Sequence, residues 1–324
     1  MDKIPQIGYI GNKGALFQAD CFDLLSGLKD NSIDLVFTDP PFNLGKDYGN
    51  SDFTDNLEED EYLKWCQMWL SELIRVLKPG GALTIYHWPK WLIELGAWLN
   101  SKPELKYRSL ISLNMKSGFP IRGRLHPANY GILYYVKKGG TITFNVVRQK
   151  TPICRHCGKE VRDYGGYRKI FKKFEDKDGV PWVQISDFWE DTRPARQDKS
   201  RKLQINELPF HIPERVILMA SKPDDVVLDI FAGGGSTFHA AQMHGRYWLG
   251  SELGDLEPTL SRFAALLGTK EHKIIPQKVQ SCFKDGYIIK IMAQQRSVAN
   301  IKTVTKMDLA AINGDAHSKS KVLF

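Results

Sequence analysis

The stretch VVLDIFAGGGST, residues 226–237, joins an apolar run to a cluster of glycines. The apolar part is typical of a buried strand. The three glycines allow a tight turn and let a ligand approach the backbone closely. A helix that begins after such a turn offers free N–H groups to a carboxylate or phosphate. The stretch therefore predicts a strand, a ligand-binding loop and a helix at one edge of a parallel sheet.

This glycine loop, residues 231–237, narrows the choice of ligand. It does not follow Gly-x-Gly-x-x-Gly, and no lysine follows the glycines as a P-loop requires, so a dinucleotide and a nucleoside triphosphate are both disfavoured. A second strand, ending in Glu252, supplies an acid suited to the two hydroxyls of a ribose. A nucleoside that carries a small zwitterion, such as S-adenosylmethionine, fits these features. A tight strand–helix turn without a ligand is the alternative interpretation.

Strand-like and helix-like segments alternate on both sides of the glycine loop. Residues 58–77 carry apolar side chains at helical spacing, and Lys78-Pro79-Gly80-Gly81 then predicts a turn before a strand that begins at Ala82. Further helices are expected at residues 90–99 and near residue 210, and further strands at 107–114 and 130–136. This rhythm predicts an α/β fold with a doubly wound, mostly parallel sheet.

A second candidate site, the acid–proline motif Asp39-Pro40-Pro41-Phe42, follows the apolar segment of residues 33–37. The prolines make the backbone rigid and remove N–H donors, which leaves the Asp39 carboxylate and the Pro40 carbonyl as acceptors beside a phenyl ring. Two fixed acceptors and a stacking plane match an exocyclic amino group on a flat base. The alternative is a Pro-Pro turn that ends a strand, with Asp39 as a helix cap.

Taken together, the two motifs resemble those of the amino-group DNA methyltransferases, in the β subgroup, where the catalytic motif precedes the cofactor motif. The resemblance covers residues 15–255 approximately. It implies a Rossmann-like methyltransferase fold, circularly permuted, with an inserted target-recognition region. It also implies S-adenosylmethionine as cofactor and double-stranded DNA as substrate. The implied catalytic residues are Asp39, Pro40, Pro41 and Phe42, and the implied cofactor-binding residues are Asp20, Asn206, Asp229, Phe231, Ala232, Gly233, Gly235, Ser236, Thr237 and Glu252.

The resemblance favours one target base. In the family, Asp-Pro-Pro usually accompanies adenine and Ser-Pro-Pro cytosine, so the expected reaction is methylation of N6 on a flipped-out adenine. Methylation of cytosine N4 is the alternative, whereas the absence of a Pro-Cys dipeptide argues against a cytosine C5 enzyme. A non-catalytic DNA-binding subunit and an RNA or small-molecule methyltransferase are further alternatives. A separate restriction endonuclease and a homodimer are expected as partners.

Charge and composition fit an anionic partner. The net charge is +8, and residues 148–202 hold about fifteen Lys and Arg against about nine Asp and Glu, with aromatic residues between them. We interpret residues 140–205 as the inserted target-recognition region. Residues 1–139 would then form the catalytic part, residues 206–268 the cofactor-binding part, and residues 269–324 a C-terminal extension of unknown role.

Five sparse cysteines do not indicate a disulfide framework. No apolar run approaches the length of a bilayer span. We therefore expect a cytoplasmic protein, encoded by a bacterium, an archaeon or a phage, with no membrane association. Cys154 and Cys157 resemble half of a zinc knuckle, but a structural zinc needs four ligands. Two reduced thiols are the expected state, with zinc as the alternative.

Overall fold

The computed structural model describes residues 3–45, 55–114, 122–123, 125, 128–150, 156–158, 182–190, 208–267 and 272–295. The strands in these ranges are β1 Gln6–Ile10, β2 Gly14–Gln18, β3 Ile33–Thr38, β4 Leu77–His87, β5 Leu105–Asn114, β6 Asn129–Lys137, β7 Arg148–Lys150, β8 Trp182–Gln184, β9 Phe188–Trp189, β10 Val226–Asp229 and β11 Tyr247–Glu252. The helices are α1 Cys21–Gly27, α2 Glu59–Val76, α3 Pro89–Asn100, α4 His211–Ala220, α5 Ser236–Met243, α6 Glu257–Leu267 and α7 Gln277–Gln280. Residues 287–295 are also helical.

One nine-stranded sheet, in the order β1-β2-β11-β10-β3-β4-β6-β5-β9, forms the centre of the fold, and β7 and β8 pair separately. The central strands β3 and β10 are parallel neighbours. From β3 the chain passes through α2 to β4 on one side, and from β10 it passes through α5 to β11 on the other. The winding direction therefore reverses between β3 and β10, and α/β sheets bind ligands beyond the carboxyl ends of the strands at such a switch point. The predicted doubly wound, mostly parallel α/β fold is confirmed.

The first strands of the chain complete the half of the sheet that the later residues build. Strand β2 pairs in parallel with β11, so that Gln18 lies opposite Glu252. This pairing across the length of the chain fits the circular permutation that the motif order implies.

Strand β4 begins earlier than the sequence predicts. It follows α2 directly at Leu77 and includes the Pro-Gly-Gly segment, instead of starting at Ala82 after a turn. Gly80 has φ +85°, a left-handed conformation that glycine tolerates well. At Gly81 a Cβ would lie 2.8 Å from the Asp34 carbonyl oxygen. The glycines thus let an irregular but extended chain pass close to β3, where the sequence predicts a turn.

Two hydrophobic layers cover the sheet. The layer on one face includes apolar residues of α1, α2 and α3, among them the fully buried Trp69. The layer on the other face includes residues of α4 and α5, together with the fully buried Trp248 of β11. Leu35, Val36 and Phe37 of β3 alternate between the layers, as a strand covered on both faces requires.

Residues 272–295, for which the sequence predicts no clear structure, pack against α1. Phe283 meets Phe17 edge-on at a ring separation of 5.7 Å. The Lys284 N–H donates to the Gly27 carbonyl at 2.8 Å, and the Tyr287 hydroxyl donates to the Asp23 carbonyl at 3.0 Å. This segment therefore belongs to the first hydrophobic layer, whereas the predicted domain boundaries at residues 140, 205 and 269 stay predictions.

None of the helices in the described ranges has the length and apolar character needed to cross a bilayer.

Candidate functional site

The two predicted motifs leave the same edge of the sheet side by side. The acid–proline motif follows β3 and the glycine loop follows β10, and these parallel strands are paired, with Val36 opposite Leu228. The acids Asp20 and Glu252 lie on the same edge, since the Ala19 N–H donates to the Glu252 carbonyl at 3.0 Å. The carboxyl ends of β2, β11, β10 and β3 thus bring together residues that are more than 200 positions apart in the sequence.

Two glycines of the loop adopt conformations that other residues rarely adopt. Gly233 has φ +49° and Gly235 has φ +72°, and Gly235 is the N-cap of α5. A Cβ on Gly235 would lie 2.6 Å from Cγ2 of Thr259, whereas a Cβ on Gly233 would meet no heavy atom within 4 Å. Gly235 therefore permits close packing against α6, while Gly233 faces open space.

Three side chains hold the backbone of Gly233 and Gly234 in the glycine loop. The Glu252 carboxylate accepts the Gly233 N–H at 2.8 Å. The Thr259 hydroxyl donates to the Gly233 carbonyl and Arg262 Nε donates to the Gly234 carbonyl, both at 2.6 Å. Thr259 and Arg262 are not among the predicted site residues, because a Thr and an Arg three residues apart on a helix are common. Only their contact with the loop reveals this role.

The carboxylate of Asp229 accepts hydrogen bonds from both ends of the glycine loop. It is buried and accepts the Phe231 N–H at 3.1 Å and the Thr237 hydroxyl at 2.7 Å. Burial raises the pKa of Asp229 to about 7. Asp229 and Thr237 therefore contact each other, and their predicted contact with a cofactor stays a prediction.

The remaining loop residues and Asp20 also have local structural partners. The Ser236 hydroxyl donates to the Leu208 carbonyl at 3.2 Å, and Ala232 is buried. Asp20 is the N-cap of α1 and accepts the Phe22 N–H at 2.8 Å. The carboxylate and hydroxyl oxygens among these groups can accept further hydrogen bonds. The predicted cofactor contacts of these residues therefore stay predictions.

Aromatic rings surround the acid–proline motif. Phe42 stacks on His87 at a ring separation of 4.6 Å and is tilted against Tyr130 at 5.7 Å and Tyr86 at 6.0 Å. Burial, and secondarily the charge of Asp39, raises the pKa of both tyrosines, so their hydroxyls stay protonated at neutral pH. Asp39 is half-buried at this position. The site thus combines one carboxylate with a largely apolar, aromatic wall.

Side chains of α2 and α3 donate hydrogen bonds to two backbone carbonyls of the acid–proline motif. The Tyr62 hydroxyl donates to the Pro41 carbonyl at 2.5 Å and lies 2.7 Å from His87 Nε2. Trp91 Nε1 donates to the Phe42 carbonyl at 2.9 Å. The sequence alone indicates ordinary helix and strand residues at these positions, because their partners are distant in the chain.

Hydrogen bonds also fix the backbone directly after the acid–proline motif. Asn43 has φ +56°, and its N–H donates to the buried Asp55 carboxylate at 2.7 Å. The Asn43 side chain donates to the Leu57 carbonyl at 2.8 Å and accepts the Leu57 N–H at 2.7 Å. An Asn accommodates a left-handed conformation better than most residues, so the residue type at this position suits the turn.

Several predicted features lie outside the described residues. They include Asn206, Cys154 and most of the predicted target-recognition region. Cys157 is described and exposed. Among the residues that can be described, no group of three or more His, Cys, Asp or Glu side chains could hold a metal ion. The zinc alternative therefore stays a prediction.

Comparison with known sequences finds a DNA methylase family and Type II methyltransferases. The profile of the N6/N4 methyltransferase family, described as DNA methylase, matches residues 33–256. The Type II methyltransferase M.BamHI of Bacillus amyloliquefaciens is 42% identical over 280 residues, which are 84% of this chain and 64% of that protein. The Type II methyltransferase M.HpaI of Haemophilus parainfluenzae is 32% identical over 221 residues, or 68% of this chain and 64% of that protein. The chain thus spans 64% of the length of each of these two relatives.

Solved structures share the fold at low sequence identity. The PvuII DNA methyltransferase, described as cytosine-N4-specific, has a TM-score of 0.58 at 17% identity, covering 86% of this chain and 93% of that one. A putative DNA modification methylase from Thermus thermophilus, TTHA0409, complexed with S-adenosyl-L-methionine, has a TM-score of 0.50 at 22% identity, covering 79% and 97%. At these identities the likeness concerns the fold alone.

Proposed function

This chain belongs to the N6/N4 DNA methylase family, and we propose that it transfers a methyl group from S-adenosylmethionine to an exocyclic amino group of a base in double-stranded DNA. One observation carries the proposal: the acid–proline motif and the glycine loop emerge next to each other from the paired strands β3 and β10. A methyl donor and an amine acceptor held at these two places would lie close together at the switch point of the sheet.

The residues of the glycine loop fit S-adenosylmethionine, which supplies an electrophilic methyl group on a sulfonium centre when bound. Gly235, the N-cap of α5, has no side chain to cap the first N–H groups of that helix, and such groups suit a carboxylate. Gly233 leaves space in front of the loop. Glu252 and Asp20, on the neighbouring strands, would accept hydrogen bonds from the hydroxyls and amine of the nucleoside.

The acid–proline motif fits a flat base with an amino group. The Asp39 carboxylate and the Pro40 carbonyl would accept hydrogen bonds from the two N–H groups of this amine. They would also stabilise the positive charge that develops on the nitrogen. Phe42 would stack on the base. Inside a duplex the amine is out of reach of such a pocket, so the base must flip out at a cost of a few kcal/mol, which stacking helps to offset.

We propose adenine N6 as the target, on the resemblance of Asp39-Pro40-Pro41-Phe42 to the motif that usually accompanies adenine. Cytosine N4 is the second candidate, since the matching family profile covers both N6 and N4 methyltransferases. The two bases present the same kind of amine to Asp39 and Pro40, so the choice depends on the size of the pocket around Phe42, Tyr86 and Tyr130.

Labelled-methyl transfer tests the proposal directly. The purified chain is incubated with S-adenosylmethionine and varied duplex DNA, with Asp39→Ala as control, and the modified nucleosides are identified by mass spectrometry. We expect N6-methyladenine, and a rate for Asp39→Ala that is lower by about a hundredfold or more. N4-methylcytosine would instead support the second candidate. No incorporation by the unaltered chain would favour a non-catalytic DNA-binding subunit, and preferred incorporation into RNA would support an RNA methyltransferase.

The wider biological setting is also a proposal. Because the relatives are Type II methyltransferases, we propose that a separate restriction endonuclease acts at the same DNA sequence. Sequencing of DNA exposed to the chain would report the modified base and its context together, and methylated DNA should then resist that endonuclease. A homodimer and a cytoplasmic location stay predictions.

A further inference from the structure

We propose that Tyr62 and His87 are positioning residues for methyl transfer, which fix the Pro41 carbonyl and thereby the orientation of the Asp39 carboxylate and the Pro40 carbonyl. This inference rests on the proposed function and extends it to two residues outside the acid–proline motif. Tyr62 lies on α2 and His87 at the end of β4, so the two elements that follow β3 along the chain converge on the motif.

The direction of the hydrogen bonds follows from the surroundings of His87. Its Nδ1 accepts the Trp88 N–H at 2.8 Å, so in a neutral ring the proton is on Nε2. Nε2 lies 2.7 Å from the Tyr62 oxygen and therefore donates to it. The Tyr62 hydroxyl hydrogen is then committed to the Pro41 carbonyl at 2.5 Å. Burial lowers the pKa of His87 to about 3, which keeps the ring neutral and this direction constant at physiological pH.

Two consecutive prolines make this support effective. Their rings fix φ, so ψ is the main torsion left at each residue, and neither proline has an N–H with which to anchor itself. A hydrogen bond to the Pro41 carbonyl restricts ψ at that residue. Trp91 restricts the next residue through the Phe42 carbonyl. The Pro40 carbonyl is thus connected by a nearly rigid segment to side chains with little access to solvent, Tyr62 at 1% exposed and His87 at 0%.

His87 supports the motif in a second way. Its ring stacks on Phe42 with an interplanar angle of 23°. One side chain therefore contacts the ring that would stack on the base and, through Tyr62, the backbone that would hold the amine. Displacement of such groups by even about 1 Å can cost about a hundredfold in rate, because catalysis depends on the alignment of the reacting atoms.

The test compares variants that lose a buried hydroxyl. Tyr62→Phe removes the donor to Pro41 and retains the ring. Tyr135→Phe is the matched control, since Tyr135 is also buried and its hydroxyl donates to Asn100 of α3 at 2.9 Å. Rates of methyl transfer are measured in a single turnover with saturating DNA, and S-adenosylmethionine affinity is measured by calorimetry. Thermal unfolding is recorded for each variant.

For Tyr62→Phe we expect a rate lower by about tenfold or more at unchanged cofactor affinity, and for Tyr135→Phe a rate within about twofold of the unaltered chain. His87→Phe should reduce the rate similarly, and His87→Gln, which retains an N–H donor, should retain more of it. The double variant Tyr62→Phe/His87→Phe should be no slower than the slower single variant, because both substitutions act through the Pro41 carbonyl and Phe retains an aromatic ring beside Phe42.

The inference can be overturned in two ways, and only one of them also overturns the proposed function. Equal rates for Tyr62→Phe and Tyr135→Phe, or losses that multiply in the double variant, would exclude a shared positioning role while the proposed function stands. Absence of methyl transfer by the unaltered chain would overturn the proposed function, and the positioning role with it.

Discussion

The Asp229 carboxyl group is buried at the end of β10, directly before the glycine loop. Its position before the loop makes it a predicted cofactor contact, yet its oxygens accept the Phe231 N–H and the Thr237 hydroxyl. Burial first, and the nearby Glu252 charge among the lesser causes, raises the pKa of this carboxyl from 3.8 to about 7. A raised pKa in an acid means that the folded protein binds the proton more tightly than the unfolded chain does.

This shift predicts how stability depends on pH. Ionisation of Asp229 opposes folding. The contribution of Asp229 to the unfolding free energy therefore falls as the pH rises from about 4 to about 7, and it is constant above that range. Between about pH 5 and about pH 8 the unaltered chain should lose roughly 2–3 kcal/mol of unfolding free energy more than Asp229→Asn, which does not titrate. Urea unfolding at both pH values measures the difference. The same pH dependence in both proteins would show that Asp229 titrates normally.

Single residues of the site differ in how visible they are in the sequence. Asp39, Phe42 and the glycines belong to short motifs, so their residue types and spacing predict their neighbourhood. Tyr62 and His87 are 25 positions apart and meet because α2 packs against β4. A hydrogen bond between such residues has no local pattern, and the fold must be known before it can be inferred.

Elements are predictable where periodicity and breakers agree. The strand into the glycine loop and the helix α2 have clear apolar patterns with definite ends. The predicted start of β4 is wrong, because Pro-Gly-Gly usually marks a turn, whereas here it continues an extended chain beside β3. Leu77 pairs with Ile33 and Ala82 pairs with Leu35, so the four residues between Leu77 and Ala82 form an irregularity within β4 and not a turn before it.

The two ends of α5 allow a controlled test of the glycine loop. Gly235 at its start and Gly245 after its end have similar backbone angles, φ +72° and φ +77°. An added Cβ would clash with Thr259 only at Gly235 and would meet no heavy atom within 4 Å at Gly245. Gly245→Ala therefore measures the backbone strain alone, about 1–2 kcal/mol.

Gly235→Ala adds the clash to the same strain. We expect it to cost about 1–3 kcal/mol more in unfolding free energy than Gly245→Ala, and to weaken S-adenosylmethionine binding by about tenfold, since the loop must move away from Thr259. Gly245→Ala should bind the cofactor normally. Calorimetric titration and thermal unfolding of both variants measure these effects, and equal cofactor affinities would contradict the proposed role of the loop.

At the scale of the whole molecule, the parallel arrangement of β2, β11, β10 and β3 brings acids and glycines that are distant in the sequence to one edge of the sheet. The resemblance of the sequence motifs to those of the amino-group DNA methyltransferases implies this arrangement. The sequence does not predict how the last described segment packs, because nothing in the apolar residues of 272–295 indicates which distant residues they contact. Their partners lie on α1 and β2, more than 250 positions earlier.

That packing predicts that residues 272–295 fold together with the sheet as one unit. Phe283 is 2% exposed and contacts Phe17, whereas Ile289 in the same segment is 72% exposed. Phe283→Ala should lower the unfolding free energy by about 3–5 kcal/mol, because it leaves a cavity in the layer beside α1. Ile289→Ala should change it by less than about 0.5 kcal/mol. Denaturant unfolding followed by circular dichroism and by tryptophan fluorescence should give coincident transitions in both variants. Phe283→Ala could instead show a separate transition for this segment and a main transition at the same denaturant concentration as in the unaltered chain. That result would mean that the C-terminal segment folds independently of the sheet.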